Sequence, residues 1–181
     1  MSGLKKSTRH THGFTIVELL IVIVVVGILA VVTIVSYNGV QVRALNASKT
    51  DEITSWDKLF EMYKTMNGTY PSMADGGYCL GTGFPDTDGD NVGECRDLYY
   101  APNRYSENTT LKNMISTVGK ISVGTRSDVH STMGPYVEYH SPTLTLVEVI
   151  QGSSTQCPSP TKYLWDDGGG MLLCGITHDL N

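Results

Sequence analysis

Glu18 is the only charged residue between Phe14 and Val35, a run of 22 otherwise uncharged and mostly apolar positions. A carboxylate inside hydrocarbon costs about 2.5–3.5 kcal/mol on insertion scales and tends to face a partner rather than lipid. The chemistry open to it is ion pairing with a cation brought to it. A second group of acids lies in "FPDTDGDNVGECRD", where Asp86, Asp88 and Asp90 alternate and Asp97 stands twelfth counted from Asp86. Calcium takes roughly six to eight oxygen ligands, and such a series supplies several carboxylates if the chain curls. The stretch departs from an EF-hand loop, with Asn91 at the sixth position, Asp at the twelfth and no flanking helices evident. A solvated acidic turn is the competing reading.

Four cysteines, Cys79, Cys95, Cys157 and Cys174, complete the reactive inventory. In a chain that faces an oxidising compartment they imply up to two disulfides, and three pairings are open. The favoured pairs are Cys79–Cys95 and Cys157–Cys174, because each closes a short local loop and contributes about 3 kcal/mol in the chain-entropy model. Zinc is disfavoured, since there is no C-x-x-C and no histidine beside either pair. His130, His140 and His178 are scattered, and no H-E-x-x-H, G-x-S-x-G, Walker or dinucleotide motif occurs. The expectation is a protein that is not an enzyme and needs no cofactor, with calcium as the candidate ion. Asn46, Asn67 and Asn108 each open a glycosylation sequon, a pattern short enough to arise by chance.

The elements that carry these residues follow from charge and periodicity. The first 13 residues hold Lys5, Lys6 and Arg9 and no acid, so without them the net charge moves from −5 to −8. An acidic remainder argues against nucleic-acid binding, which relies on Lys/Arg clusters. Residues 14–35 make about 33 Å of helix, enough for one bilayer crossing. The basic leader places the N-terminus in the cytoplasm and the remainder outside. Beyond residue 35 helical character persists, with Val42, Leu45, Ile53, Trp56, Phe60, Tyr63 and Met66 on one face. Asn67-Gly68 and Pro71 stop it. One helix of about 80 Å is therefore expected from residue 14 to residue 66.

From residue 67 the chain reads as an α+β head. "TTLKNMISTVG" is a short helix capped by Asn108 or Thr109 and stopped by Gly119. "PYVEYH" and "TLTLVEVIQ" form one hairpin about Ser141-Pro142, and "KYLW" and "MLLCGIT" a second about the 166–170 turn. The expectation is an antiparallel sheet of about four strands, one face covered by the C-terminal half of the long helix.

Gly13 followed by "FTIVELLIVIVVVGILA" resembles the N-terminus of type IV prepilins and pseudopilins, specifically over residues 5–45. "NGTYPS" resembles the point where such proteins leave the helix for the head. The resemblance implies a pilin-like fold and four segments: a cleaved leader (1–13), a transmembrane and polymerisation helix (14–35), an amphipathic half-helix (36–66) and a globular head (67–181). It implies that a prepilin peptidase cuts after Gly13 and methylates the new amine of Phe14; Gly13 suits the cut because a missing side chain lets a catalytic cleft approach. Glu18 of one subunit would then neutralise the Phe14 amine of a neighbour and set register as helices bundle. Many relatives carry a kinking proline where this chain has Val35 and "SYNG". The 157–174 pair resembles the disulfide-bounded loop of many pilins, and some members bind calcium in head loops.

The function implied is a structural subunit of a type IV pilus or related homo-oligomeric filament. Its partners would be the peptidase, an assembly platform and an ATPase. The protein would span the inner membrane once before assembly and lie in an extracellular or periplasmic fibre afterwards. The alternative is a pseudopilin of a type II secretion or competence DNA-uptake machine. A membrane-anchored binding module or enzyme is the third reading, with nothing catalytic to support it.

Overall fold

A computed structural model describes residues 13–86, 89–96, 105–121, 134–152, 157–166 and 170–181. Helix α1 spans Ile16–Asn67, β1 Gly76–Cys79, β2 Glu94–Arg96, β3 Tyr105–Ser106, α2 Thr109–Ser116, β4 Tyr136–His140, β5 Thr143–Gln151, β6 Lys162–Asp166 and β7 Met171–Asp179. The chain divides into two compact units, Met1–Gln41 and Val42–Asn181.

Among the described residues of the first unit, the apolar stretch of the helix is exposed on every side. Every large apolar side chain from Phe14 to Ile34 is at least 48 % exposed. Among the described residues α1 is the one helix long and apolar enough to cross a membrane. An apolar surface on all sides of a helix is stable only in lipid or among other such helices.

The second unit is an α+β head. Among the described residues its sheet has seven strands in the order β2-β3-β1-β4-β5-β7-β6, not about four. The four expected strands are β4 to β7, antiparallel throughout, with β4 and β5 in register from Tyr136↔Val147 to His140↔Thr143. The three additional strands are two to four residues long. They lack the alternating apolar pattern that marks a strand, and β1 opens with Gly76-Gly77. Tyr78 pairs with Ser106 in parallel, a non-local contact that no run of strand formers signals.

Alternation along β4 and β5 builds two cores, where the expectation was one covered face. Leu144, Leu146, Val137 and Tyr139 pack with Ile53, Trp56 and Phe60 of α1 and with Leu111 and Ile115 of α2. Val147, Val149 and Tyr136 point the other way and join Phe84, Tyr105, Met171 and Leu173. At the end of α1 the spacing overreaches: Met66 is exposed, while Tyr63 still packs against the core. Gly68 closes the helix at φ +82°, its N–H donating to Lys64 O at 2.7 Å. On α2, Asn108 is the N-cap, accepting from Leu111 N at 3.0 Å. Gly119 follows at a close approach, where a Cβ would meet Leu59 Cδ2 at 2.2 Å.

Tyr136 is the last β4 residue paired with β5, which leaves the end of β5 beyond it. There Asn46 of α1 takes over. Its Nδ2 donates to Gln151 O at 2.6 Å and its Oδ1 accepts from Gln151 N at 2.9 Å. One side-chain amide thus satisfies both backbone groups of a β5 position that has β7 on one side and no β4 partner on the other.

Candidate functional site

The start of α1 holds the first candidate site. Thr15 is the last residue before the helix. Its backbone N–H and its hydroxyl both donate to Glu18 Oε2 at 2.8 Å, and Glu18 N–H donates back to Thr15 Oγ1 at 3.2 Å. This is a reciprocal capping box, T-x-x-E, which satisfies helix N-terminal donors. Glu18 therefore closes the first turn as well as offering a charge beside Phe14. Thr15 was missed from the sequence, although the T-x-x-E spacing is a readable signal.

The second candidate site is the acidic loop of the head. The structure brings Asp86, Asp90 and Glu94 together, with one carboxylate oxygen of each within 4.8 Å of the others. Asp88 and Asp97 lie outside the described residues. Asp86, which is exposed, accepts from Gly89 N at 2.7 Å and Asn91 N at 2.9 Å, and Asp90 accepts from Val92 N at 2.8 Å. Glu94 is fully buried at the start of β2. It escaped the sequence reading because it falls outside the D-x-D-x-D alternation. Hydrogen bonds tie the frame around the loop. Glu107 accepts from Gly83 N and Phe84 N at 2.7 and 2.9 Å and pairs with Lys112 at 3.1 Å. A Cβ at Gly93 would lie 2.3 Å from Phe84 O, so the loop closes only on a glycine.

Disulfides join Cys79 to Cys95 and Cys157 to Cys174, with Cα separations of 5.5 and 5.7 Å. The first lies in the core at the base of the acidic loop. The second sits beside Ile150 and Leu172.

A buried cluster of titratable side chains lies between α1 and the sheet. Lys49 reaches Glu52 at 3.2 Å and Glu148 of β5 at 3.9 Å. Glu148 is fully buried, its Oε1 accepting from Val149 N at 2.9 Å and its Oε2 making no hydrogen bond among the described residues. Burial pushes its carboxyl up to about 8, against the opposing pull of Lys49.

The prokaryotic N-terminal methylation motif matches residues 8–34 of this chain, the stretch that contains Gly13, Phe14 and the Thr15–Glu18 box. The same N-terminal architecture continues into an exposed apolar helix. Over this N-terminal stretch the chain is similar to the pilins and pseudopilins. Its relatives include type II secretion system core protein G of Pectobacterium carotovorum subsp. carotovorum, 34 % identical over 71 residues. That match covers 39 % of this chain and 46 % of the relative. The same protein of Escherichia coli (strain K12) is 30 % identical over 71 residues, 39 % of this chain and 49 % of the relative. That of Aeromonas hydrophila is 32 % identical over 68 residues, 38 % and 48 %. The matched part thus spans just under half the length of these relatives. No solved structure matches.

Proposed function

We propose that this chain is a filament subunit of the pseudopilin kind, belonging to a type II secretion or related export machine. The observation that carries this reading is the set of relatives that are core protein G of type II secretion systems. They favour the secretion alternative over a pilus subunit. A pilus subunit is the second reading, favoured by the Cys157–Cys174 disulfide close to the C-terminus.

In either case the steps are the same. A prepilin peptidase cuts after Gly13 and methylates the amine of Phe14. The subunit then spans the membrane once, head outside, until a platform and its ATPase draw it into a homo-oligomeric fibre in the periplasm or beyond. The capping box explains how Glu18 is tolerated meanwhile. Two donors from Thr15 satisfy one of its oxygens before a partner arrives, which lowers the desolvation cost of an isolated carboxylate. On assembly, the Phe14 amine of a neighbour meets that carboxylate, and the pair fixes axial register along apolar surfaces that carry none of their own.

Asp86, Asp90 and Glu94 would hold a calcium ion in the head. The donor set is all carboxylate oxygen, the chemistry calcium prefers, and contains no thiolate or imidazole that would select zinc. The ion would supply a cross-link between the loop and β2.

The test is made in the native cells. The mature N-terminal peptide is expected to begin at N-methylated Phe14, and deletion of the chain is expected to trap exported proteins inside the envelope. A retained Lys5-Lys6 leader would reject the family's processing for this chain. Normal export with loss of sheared surface fibres would move the reading to a pilus.

A further inference from the structure

His178 stands near the C-terminal end of β7 and is engaged at both ring nitrogens. Nε2 lies 2.6 Å from Asp57 Oδ1 of α1. Nδ1 lies 2.9 Å from Tyr70 Oη and 3.4 Å from Glu61 Oε1, also of α1. Tyr70 Oη in turn makes a short contact with Glu61 Oε1. The Tyr70 and His178 rings are 4.9 Å apart, and Lys64 Nζ sits 4.3 Å above the Tyr70 ring. His178 is mostly buried, with 16 % of its side chain exposed.

Counting protons decides the state of the ring. Asp57 is a carboxylate and only accepts, so Nε2 must carry a hydrogen. Tyr70 has one hydroxyl proton and is placed to donate it to Glu61 Oε1, a half-exposed carboxyl oxygen. The phenol proton therefore goes to Glu61, leaving Oη as an acceptor toward His178. Burial and the Glu61 carboxylate push the Tyr70 phenol well above its ordinary range, so that proton stays on oxygen. Nδ1 must then donate as well. A ring that donates from both nitrogens is an imidazolium.

We infer that His178 is carried as an imidazolium that latches the end of β7 to α1 and Tyr70, making a proton-dependent clasp on the head. The groups facing it are Asp57 and Glu61 from α1 and Tyr70 from the segment after it, with Lys64 of α1 behind the Tyr70 ring. On the sheet side its register partner in β5 is Leu144, which brings no charge. Loss of the Nδ1 proton would let Tyr70 donate to the ring only by giving up Glu61, whereas loss of the Nε2 proton would set two acceptors face to face at Asp57; the clasp would open at one of these points. The device stands on the head's own geometry and is independent of the filament reading.

The test uses the full chain in detergent micelles with 15N-labelled histidine. At pH 7.5 a free imidazole is mostly neutral, its ordinary midpoint being about 6.5. Two-bond proton–nitrogen correlations are expected to show both His178 nitrogens protonated there, the signals being assigned by their loss in His178→Gln. An unprotonated Nδ1 would mean that the ring accepts the Tyr70 hydroxyl proton instead, and the inference would fall. Thermal melts of wild type and His178→Gln give the second readout. The variant is expected to melt about 2–5 °C lower at pH 6.5, and the gap to close to within about 1 °C by pH 9.5. Glu148 titrates in both chains and cancels from the difference. An equal gap at both pH values would assign His178 a packing role and overturn the clasp.

Discussion

Thr15 and Glu18 hold one another across the first turn of α1, hydroxyl to carboxylate at 2.8 Å and amide to hydroxyl at 3.2 Å. The residue proposed to receive a neighbour's amine is thus already oriented within its own chain. Thr15→Val keeps the shape of the side chain and removes the hydroxyl that both donates and accepts. The expected result is normal cleavage after Gly13, a helix start weakened by about 1 kcal/mol, and fewer subunits in sheared or overproduced fibres. Thr15→Ser should restore assembly. Equal fibre yield from the valine variant would remove the orienting role.

Glu18→Ala should cost more than Thr15→Val in assembly while making membrane insertion easier, by less than the roughly 2.5–3.5 kcal/mol of a charge at a helix centre because Glu18 lies in the first turn and is capped by Thr15. Opposite signs in the two assays are the signature of a group retained for pairing. Mixed expression with wild type measures co-assembly directly, by the fraction of variant recovered in the fibre. Undiminished incorporation of a cleaved variant would rule out pairing with Phe14.

For the acidic loop, the melting temperature of the head is expected to rise in millimolar calcium relative to chelator. The gain is about 2.7 kcal/mol when the ion stands at a hundred times its dissociation constant. Glu94→Gln, isosteric and buried, should abolish most of that rise while leaving the Cys79–Cys95 disulfide in place. Asp86→Asn should do the same with some loss of the turn, since Asp86 also accepts from Gly89 and Asn91. Identical melting in calcium and chelator would reduce the cluster to a solvated turn.

The sequence was most legible where one physical pattern dominated. An unbroken apolar run, a helical stripe through Ile53, Trp56 and Phe60, and alternating strands from Tyr136 to His140 and Thr143 to Gln151 each have a single period to read. Strands β1 to β3 were illegible because their pairing is set by what they meet, not by their own composition; Gly77 is there because a Cβ would lie 2.3 Å from the Tyr105 ring. The acidic loop was half legible. The aspartates announce themselves, whereas Glu94 joins them only through the fold that carries β2 beside the loop. Asn46 was read as a chance sequon, and its actual partner is 105 residues away.

Glu148 gives the head a pH dependence whose sign is fixed by burial. Its carboxyl is raised from 4.5 to about 8, so between those values the folded state holds a proton that the unfolded state has released. Its contribution to stability therefore falls as pH rises through this window: no penalty below it, the full penalty above it. Glu148→Gln should match wild type near pH 4.5 and exceed it at pH 8.5, by an amount on the order of a few kcal/mol. Lys49 retains Glu52 at 3.2 Å in that variant, so its charge is not stranded. Urea unfolding of the two chains across the window measures the difference. A gap that does not change with pH would mean that Glu148 is ionised throughout beside Lys49.

Asn46→Ala tests whether a helix side chain replaces a missing strand. The substitution leaves α1 a better helix former by a few tenths of a kcal/mol, yet it strands the N–H and C=O of Gln151 that Asn46 now satisfies. An unsatisfied buried backbone group costs about 1–3 kcal/mol, but Gln151 is exposed and water can replace part of the loss. The net expectation is a destabilisation of about 1 kcal/mol, with faster amide hydrogen exchange at Gln151 and unchanged exchange at Leu146, which remains inside the β5–β7 pairing. Asn46→Asp separates the two halves of the fork, since it keeps an acceptor for Gln151 N–H and loses the donor to Gln151 O. It should therefore leave the Gln151 amide protected while losing stability. Rapid exchange at Gln151 in wild type would show that the fork does not persist in solution and that the end of β5 frays without it.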